Sequence, residues 1–350
     1  MIQIAIDAMG GDFAPEEIVL GGIQAAREFH ISVVLVGDRD QIQAILRREH
    51  AENDSLISVC HASQVIGMDE HPGLAFRRKK DASVSVAARL VRSGECGAMV
   101  APGSTGAAVT AGLLGLGRIH GIERPAILTP IPNMKGGHTF LIDSGASAQP
   151  RSINMVQNAL LGYWYARLVH HIQEPKIGLL NIGEESIKGS PVVAETFDML
   201  SRQKSFPFAG NAEGRDIPTG DFDVIVTDGF TGNVVLKFAE GLGAFFMHLL
   251  KSSIAEGSFT AKLGALAVRP ALKQGMLKKI DYAEYGGAPL LGVRGGLVIC
   301  HGASHAKAIK NAVGLAERIC NEKVPEVIAS AVGDMNQASA GQKTQMDEGR

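Results

Sequence analysis

The chain has 350 residues, 45% of them hydrophobic, and its 34 basic and 36 acidic residues give a formal net charge of -2. This length and hydrophobic content can bury one large core or two smaller ones, and the near-neutral charge disfavours a nucleic-acid-binding protein. Cys60, Cys96, Cys300 and Cys320 form no CxxC pair, which argues against a zinc ribbon or redox motif and fits reduced thiols in a cytosolic protein.

The start of the chain, MIQIAIDAMGGD, is predicted to be a first strand. Its apolar segment is too short for a secretory signal, has no basic flank and runs directly into a turn. The most apolar later stretch, 234–250, is interrupted by Lys237 and Glu240 and is shorter than the ~20 apolar residues that a membrane span needs. We therefore expect no export signal and no membrane crossing.

Apolar runs rich in β-branched residues alternate with helical patterns along the chain. The predicted strands lie at 2–7, 32–37, 97–101, 126–130, 139–142, 176–182, 222–227 and 296–300. The predicted helices lie near 15–29, 38–50, 82–93, 105–117, 153–172, 191–203, 232–252 and 304–321. This alternation predicts an α/β fold with a largely parallel twisted sheet and helices on both faces. We expect one catalytic domain over 1–330 and a polar, flexible tail over 331–350.

One segment, 258–279, breaks this rhythm because it combines basic and apolar residues with no acids. Pro270 is predicted to kink or divide it, which gives a protruding amphipathic helical hairpin at about 245–280. Such a hairpin can lie on an anionic bilayer, whereas the alternative is a helix pair packed on its own domain or on a second subunit. The basic residues are Lys262, Arg269, Lys273, Lys278 and Lys279, and the predicted membrane contacts are Phe259, Leu263, Leu266, Val268 and Leu272.

Several predicted strands end in loops of small polar residues that lead into helices. In a parallel sheet such loops meet beyond the carboxyl ends of the strands, where unpaired N–H groups and the helix dipole stabilise an anion. Phosphate is the simplest common ligand, and the alternative is that each polar residue only caps its own helix. The candidate phosphate-binding residues are Gly103, Ser104, Thr105, Gly106, Asp143, Gly145, Gly229, Thr231, Gly232, Gly302 and Ser304.

The loop after the first strand differs because it contains Gly10 and Gly11 between Asp7 and Asp12. Two carboxylates would repel a lone phosphate, so we expect them to organise neighbouring loops or to hold a cationic partner. Magnesium is a lesser alternative, since it needs only one or two carboxylates at such strand ends. We predict neither a metal nor a cofactor.

The loop GEESIKG supplies a lysine, Lys188, between Gly183 and Gly189. This ammonium is suited to neutralise phosphate or to stabilise the oxyanion of a carbonyl under attack, with Glu184 as its orienting partner. A solvated surface lysine is the alternative.

Other catalytic motifs do not fit the chain. The segment from Gly302 to Ala306 imitates a nucleophile elbow, but the required acid and histidine do not follow Ser304 in order. A dinucleotide fingerprint and a P-loop are also missing from the sequence. A reaction that needs an anion site but no protein nucleophile is attack of phosphate on a thioester, in which the enzyme supplies positioning and electrostatic stabilisation. The composition does not identify the acyl donor.

Seven motifs in order make the chain closely resemble the PlsX family of bacterial phosphate acyltransferases, from residue 1 to about 325. They are AIDAMGGDFAPE (5–16), GIERPAI (121–127), LLNIGEESIKG (179–189), GNAEGRDI (210–217), DVIVTDGFTGNVVLK (223–237), DYAEYGGAPLLGV (281–293) and HGASHAKAIKNA (301–312).

The resemblance implies transfer of a fatty acyl group from acyl carrier protein to inorganic phosphate, giving acyl phosphate for a downstream glycerol-3-phosphate acyltransferase. It also implies a fold similar to those of phosphate acetyltransferases and the isocitrate and isopropylmalate dehydrogenases. The family further implies a homodimer, cytoplasmic and peripherally associated with the inner face of the cell membrane through the hairpin. Lys188 and Asn233 look catalytic by this resemblance.

Two positions depart from the family pattern, because Ser104 and Ser147 stand where the family usually has asparagine. Serine keeps a hydroxyl donor but is shorter and lacks the amide, so neighbouring backbone N–H groups gain importance. We expect phosphate at the loops 103–106 and 229–233, with Lys188 stabilising the oxyanion, Asn233 orienting a substrate and Asp228 fixing its loop.

Acyl carrier protein is acidic, so a basic docking patch is expected. The run 77–80 (Arg-Arg-Lys-Lys) is one candidate, and an exposed solvated run is its alternative. Two rival functions remain: a short-chain phosphate acetyltransferase that uses coenzyme A, and a non-catalytic membrane scaffold for lipid enzymes.

Overall fold

The computed structural model describes residues 2–272 and 282–347, and in these ranges eleven strands form one sheet. Their order across the sheet is β3-β2-β1-β4-β11-β10-β5-β6-β9-β7-β8. The strands are β1 (Gln3–Asp7), β2 (Ser32–Gly37), β3 (Ile57–His61), β4 (Ala98–Pro102), β5 (Ala126–Pro132), β6 (His138–Ile142), β7 (Ile177–Leu180), β8 (Phe208–Ala212), β9 (Val224–Val226), β10 (Ala288–Leu291) and β11 (Gly296–Cys300).

Helices cover both faces of this sheet, and one of them, α5, continues as the π-helical segment Ala111–Leu116. The prediction of an α/β fold with a largely parallel sheet is confirmed, whereas β3, β8, β10 and α3 were not predicted. The helices are α1 (Glu16–Phe29), α2 (Arg39–Arg48), α3 (Pro72–Arg78), α4 (Ser83–Arg92), α5 (Thr105–Thr110), α6 (Ser152–Val169), α7 (Pro191–Ser201), α8 (Gly229–Glu256), α9 (Phe259–Leu272), α10 (Ala306–Asn321) and α11 (Val324–Asp347).

The sheet reverses its strand direction at its centre. Strand β10 is antiparallel to β11 on one side and to β5 on the other, and β5 is antiparallel to β6. Consequently β6, β7, β8 and β9 run opposite to β1, β2, β3, β4 and β11. The carboxyl ends of these two groups of strands therefore lie at opposite edges of the sheet, whereas the expectation from the sequence was that the strand-end loops meet.

Two main hydrophobic clusters lie on opposite faces of the sheet. One contains residues of α1, α2, α6, α10 and α11 together with Leu128, Phe140 and Ile142 of the central strands. The other contains residues of α4, α5 and the π-helical segment together with Ile127, whose side chain points to the opposite face from Leu128. This alternation along β5 is what allows one strand to join both clusters.

The predicted flexible tail is largely helical, since α11 continues to Asp347. Val332 and Met335 are buried and belong to the same cluster as Val324 and Ile328 of the first turns. Their spacing places the four side chains on one face of the helix. The domain boundary predicted at residue 330 rested on the polar composition of the tail, in which these few apolar residues are too widely spaced to stand out.

The helices α8 and α9 are long and mostly exposed. Among the described residues, α8 alone is long and apolar enough to cross a membrane by length and composition, and none of its apolar window is buried. The sequence had suggested a shorter helix from 232 to 252, but α8 begins at Gly229.

Pro270 lies inside α9 and does not divide it before Leu272. Four of the predicted membrane contacts are exposed, whereas the side chain of Leu272 lies outside what the structure describes. The same holds for the side chain of Arg269 and for 273–281, which includes Lys273, Lys278 and Lys279. The exposed contacts are Phe259, Leu263, Leu266 and Val268.

Candidate active site

A first cluster of predicted site residues forms where β1, β4 and β11 end. The N–H of Asp12 donates to the Gly302 carbonyl at 2.8 Å. A Cβ atom at Gly10 would lie only 2.2 Å from the Pro102 carbonyl oxygen, so only glycine permits this contact. The loops after β1 and β4 and the segment 65–68 line a cavity of about 150 Å³.

Asp7 lines this cavity and is buried. Burial raises the pKa of its carboxyl to about 6, although hydrogen bonding opposes part of the shift. The N–H of Met9 donates to its Oδ1 at 3.3 Å, which ties the carboxylate to its own loop. An ionisable carboxyl here disfavours an anion in the same cavity.

The helix starts at this cluster are largely satisfied by protein groups. The Ser104 hydroxyl accepts the Ala107 N–H at 3.4 Å, which makes Ser104 the N-cap of α5. At α10, the Glu17 carboxylate accepts the Ala306 N–H at 2.8 Å. A carboxylate from α1 therefore satisfies one N–H at the start of α10, whereas the buried hydroxyl of Ser304 has no hydrogen-bond partner among the described residues.

A second cluster joins the loop after β6 to the start of α8. The buried Asp143 carboxylate accepts four backbone N–H groups at 2.7 to 3.1 Å. Burial raises the pKa of this carboxyl, and the four hydrogen bonds oppose the shift. Asp143 thus acts as the organiser of its loop. The donors are Ile127, Gly145, Ala146 and Ser147.

The start of α8 packs directly on this loop. Asp228 caps the helix, because its Oδ1 accepts the Thr231 N–H at 2.8 Å and its Oδ2 accepts the Thr231 hydroxyl at 2.7 Å. The Gly229 N–H donates to the Ser147 carbonyl at 2.9 Å. The side chain of Asn233 lies beside Gly145, 3.6 Å from where a Cβ would stand.

Arg124 also belongs to this cluster, although it was not among the site residues predicted from the sequence. It precedes β5, and its Nη1 donates to the Ser147 hydroxyl at 2.8 Å. The antiparallel pairing of β5 and β6 brings the start of one strand next to the end of the other. Arg124 lies in the motif GIERPAI, which the sequence resemblance had already singled out. Its position beside Ser147 depends on this strand pairing, which the motif does not reveal.

Lys188 lies in the loop after β7, and β7 pairs with β9, the strand that leads into α8. The side chains of Lys188 and Glu184 are both exposed. Glu184 instead contacts Asn211, whose Nδ2 lies 3.4 Å from the Glu184 carbonyl oxygen. In the described part of the chain the Glu184 carboxylate forms no ion pair with Lys188, so the expected orienting contact is not made.

The two clusters lie on the same face of the sheet but on strands of opposite direction. Ala146 packs against the hydrophobic cluster that contains Ala108 and Ala111 of the helix after β4. Within 2–272 and 282–347, no hydrogen bond joins the loops 103–106 and 229–233. The residues predicted for one phosphate site thus belong to two loop groups that follow oppositely directed strands, and their convergence on one anion stays a prediction.

The expected docking run lies beside the first cluster. Helix α3 ends at Arg78, and its Pro72 meets the start of α5, 2.7 Å from where a Cβ of Gly106 would stand. Lys79 is bound to Glu70 at 2.6 Å. Arg77, Arg78 and Lys80 are exposed.

No group of three or more potential metal ligands occurs among the residues that the structure describes.

The comparisons with known proteins agree with one another. The family model described as fatty acid synthesis protein matches residues 2–327. A phosphate acyltransferase from Pelotomaculum thermopropionicum is 47% identical over 97% of this chain and 98% of its own. One from Heliobacterium modesticaldum is 52% identical over 91% of this chain and 93% of its own.

Among solved structures, a phosphotransacetylase from Streptococcus pyogenes has a similar fold, with a TM-score of 0.62 at 15% identity over 91% of this chain and 94% of its own. At that identity the likeness concerns the fold alone. The family match and the two relatives confirm the resemblance to the PlsX family, and this chain belongs to the fatty acid synthesis protein family.

Proposed function

We propose that this protein transfers a fatty acyl group from acyl carrier protein to inorganic phosphate and forms the acyl phosphate used in phospholipid synthesis. The observation that carries the proposal is membership of the family over residues 2–327, with relatives named phosphate acyltransferase. The product is a mixed anhydride, which suits it as the acyl donor for a glycerol-3-phosphate acyltransferase.

In this proposal phosphate binds at the second cluster, beside Arg124 and Asn233. A guanidinium offers paired donors to phosphate oxygens, and Arg124 is already fixed by its bond to Ser147. In the first cluster the buried Asp7 carboxyl lines the cavity itself. In the second cluster the Asp143 carboxylate is neutralised by four backbone N–H donors and the Asp228 carboxylate is bound to Thr231. The dipole of the 28-residue helix α8 adds a positive potential at its start.

The reaction needs no protein nucleophile. A phosphate oxygen attacks the thioester carbonyl carbon, the carbonyl oxygen becomes an oxyanion, and collapse breaks the carbon–sulfur bond. The thiolate of the carrier leaves and takes up a proton, and the acyl phosphate remains. The Lys188 ammonium stabilises the oxyanion, and the Asn233 amide orients phosphate or carbonyl.

The acyl carrier protein is proposed to dock on the basic end of α3. Arg77, Arg78 and Lys80 are exposed there, and α3 packs beside the start of α5. An acidic partner would be attracted to this patch, and such attraction mainly raises the association rate.

We propose that α9 contacts the membrane and that α8 pairs with a second copy of this chain. The exposed residues Phe259, Leu263 and Leu266 of α9 flank the cationic Lys262, a combination that suits an anionic bilayer. Helix α8 carries an exposed apolar row with helical spacing, which suits pairing with the same row of another protomer. We propose a homodimer on the cytoplasmic side, held peripherally at the inner face of the cell membrane. The row contains Phe230, Val234, Phe238, Leu242, Phe245 and Leu249.

The deciding experiment measures phosphate-dependent release of free thiol from palmitoyl acyl carrier protein. We expect turnover by the wild type and a loss of about 10²–10³ in Lys188→Ala, the effect of removing one oxyanion donor. Lys204→Ala, at another exposed loop lysine, is the matched control and should keep wild-type turnover.

Different outcomes separate the rivals. Turnover of acetyl coenzyme A in preference to the palmitoyl carrier would assign a short-chain phosphate acetyltransferase. A wild-type protein that binds lipid but releases no thiol from either donor would be a scaffold. Full activity in Lys188→Ala would remove that lysine from the mechanism.

A further inference from the structure

We propose that Asn181 and Asn211 are positioning residues that together clamp the loop carrying Lys188. Asn181 follows β7, and Asn211 lies on β8, the edge strand that pairs with it. The part of the inference that concerns turnover rests on the proposed role of Lys188, whereas the clamp itself can be tested without any activity.

The loop from 182 to 190 has few other means of holding its shape. Nearly all of its residues are exposed, and Gly189 has a φ of +94°, which an L-residue rarely adopts. The buried side-chain amides of Asn181, after β7, and Asn211, on β8, donate hydrogen bonds to the loop backbone. An exposed loop without such contacts would sample many conformations, so these bonds decide where Lys188 stands.

Asn181 fixes the end of the loop nearest to the lysine. Its Nδ2 donates to the carbonyl oxygen of Lys188 itself at 3.0 Å, and its Oδ1 accepts the Ile182 N–H at 2.8 Å. One side chain therefore joins the first residue of the loop to the residue that carries the ammonium. A Cβ at Gly189 would lie 2.5 Å from Asn181 Oδ1, so the fit is close.

Asn211 holds the opposite turn of the same loop. Its Nδ2 donates to the Glu185 carbonyl at 3.0 Å and lies 3.4 Å from the Glu184 carbonyl. The Lys188 N–H donates to that same Glu185 carbonyl at 3.1 Å. The Glu185 carbonyl thus links Asn211 to the backbone of Lys188.

Fold stability alone does not explain an asparagine at position 211. Its side chain is 7% exposed, and its Oδ1 is buried with no hydrogen-bond partner among the described residues. An unpaired buried acceptor costs free energy that an apolar side chain would not. The benefit of the amide lies in the bonds that its nitrogen makes to the lysine loop.

Limited trypsin digestion of the native full-length protein tests the clamp directly. Asn211→Ala and Asn181→Ala should each speed cleavage after Lys188 about fivefold or more, because a loosened loop enters the protease more readily. Asn311→Ala is the matched control, since its Nδ2 also donates to a loop carbonyl, that of Ala283, at 2.8 Å. Cleavage after Lys135, at the β5–β6 hairpin, reports any general loosening and should not change.

Unchanged cleavage after Lys188 in both variants overturns the inference, as does equal acceleration after Lys135. Should Asn211→Ala not fold, Asn181→Ala carries the test alone, because Asn181 lies after β7 and not on β8. Mass spectrometry of the first fragments identifies the cleaved bond.

A double-mutant cycle tests the connection with catalysis. In palmitoyl transfer, Asn211→Ala should lower kcat about fivefold with little change in the KM for phosphate. When Asn211→Ala is added to Lys188→Ala, kcat should not fall further, because the lysine side chain that Asn211 positions is gone. An equal loss in both backgrounds means that Asn211 does not act through Lys188, which overturns this part. Faster cleavage together with full activity of Lys188→Ala leaves the clamp standing and removes the proposed role of Lys188.

Discussion

The carboxylate of Glu17 accepts the backbone N–H of Ala306 at 2.8 Å, across 289 positions of sequence. The same carboxylate lies 3.5 Å from His305 Nδ1, and Phe13 stacks on that imidazole at 4.4 Å. Helices α1 and α10 are packed so closely that a Cβ at Gly21 would lie 2.5 Å from the Ile309 Cβ. The start of α10 is thus stabilised by an internal anion.

Replacing Glu17 by alanine should therefore lower the free energy of unfolding by about 1 kcal/mol, the usual effect of losing a helix cap. Chemical denaturation followed by circular dichroism measures this change. Glu28→Ala is the matched control on the same helix, since the half-exposed Glu28 carboxylate pairs with the Lys310 ammonium at 2.8 Å rather than with a backbone N–H. That variant should change stability by less than about 0.5 kcal/mol, and an equal loss in both variants would contradict the capping role.

The cap of α10 comes from a residue 289 positions away in the sequence, and local patterns do not predict it. The loops that precede α5, α8 and α10 were each recognised correctly as strand-to-helix connections rich in small residues. Whether their N–H groups face a ligand depends on side chains that can come from far away, as Glu17 does. The alternative of local capping could be judged from sequence for Ser104 and Asp228, but the distant cap of α10 could not.

Arg124 gives a prediction about substrate affinity. Arg124→Ala should raise the KM for phosphate roughly tenfold while the KM for the acyl carrier changes little, because the charge-assisted bonds to phosphate are lost. Steady-state kinetics with each substrate varied in turn measure the two constants. Arg124→Lys keeps the charge without the paired donors, so its KM for phosphate should lie between those of the wild type and Arg124→Ala.

Arg202, which is exposed at the end of α7, provides the control. Arg202→Ala should leave both constants at wild-type values. An unchanged KM for phosphate in Arg124→Ala would move the phosphate site away from the second cluster.

The strand pairing explains why Arg124 and the two-cluster arrangement were not foreseen. The alternation of strands and helices predicted the α/β class, and a parallel sheet was the natural reading. Strand β10 has only four residues, contains Pro289 and lies between Gly287 and Gly292, so its pattern is weak. Together with β10, the antiparallel pairing of β5 and β6 reverses the sheet direction, because three successive pairings, β11–β10, β10–β5 and β5–β6, are antiparallel. The reversal decides which loops meet.

Asp7 gives a prediction about pH. Its folded pKa of about 6 lies above the ordinary value of 3.8, so ionising this carboxyl costs stability. The stabilising contribution is complete below pH 3.8 and is lost as the pH rises through 6. Asp7→Asn should be more stable than the wild type at pH 7.5 by roughly 2–3 kcal/mol, and the difference should shrink toward pH 4. Thermal melts from pH 4 to 7.5 measure it, and a constant difference would contradict the buried ionisation.

Gly232 lies where α8 crosses the loop after β6. A Cβ there would stand 2.0 Å from the Asp143 carbonyl oxygen and 2.9 Å from Thr227 Cγ2. Backbone cannot yield as a flexible side chain does, so Gly232→Ala must push the helix away from the loop. We expect a loss of about 1–3 kcal/mol in the free energy of unfolding, the usual result of overpacking.

A second glycine of α8, Gly241, has room for a side chain, unlike Gly232. Gly241 is exposed, and nothing lies within 4 Å of where its Cβ would stand. Gly241→Ala should therefore raise the free energy of unfolding by up to about 1 kcal/mol, since alanine is the better helix former. Because the second cluster depends on the contact at Gly232, Gly232→Ala should also reduce acyl transfer, whereas Gly241→Ala should not. Denaturation and thiol release measured on both variants test this, and two variants with the same change in activity would show that the helix start is not part of the site.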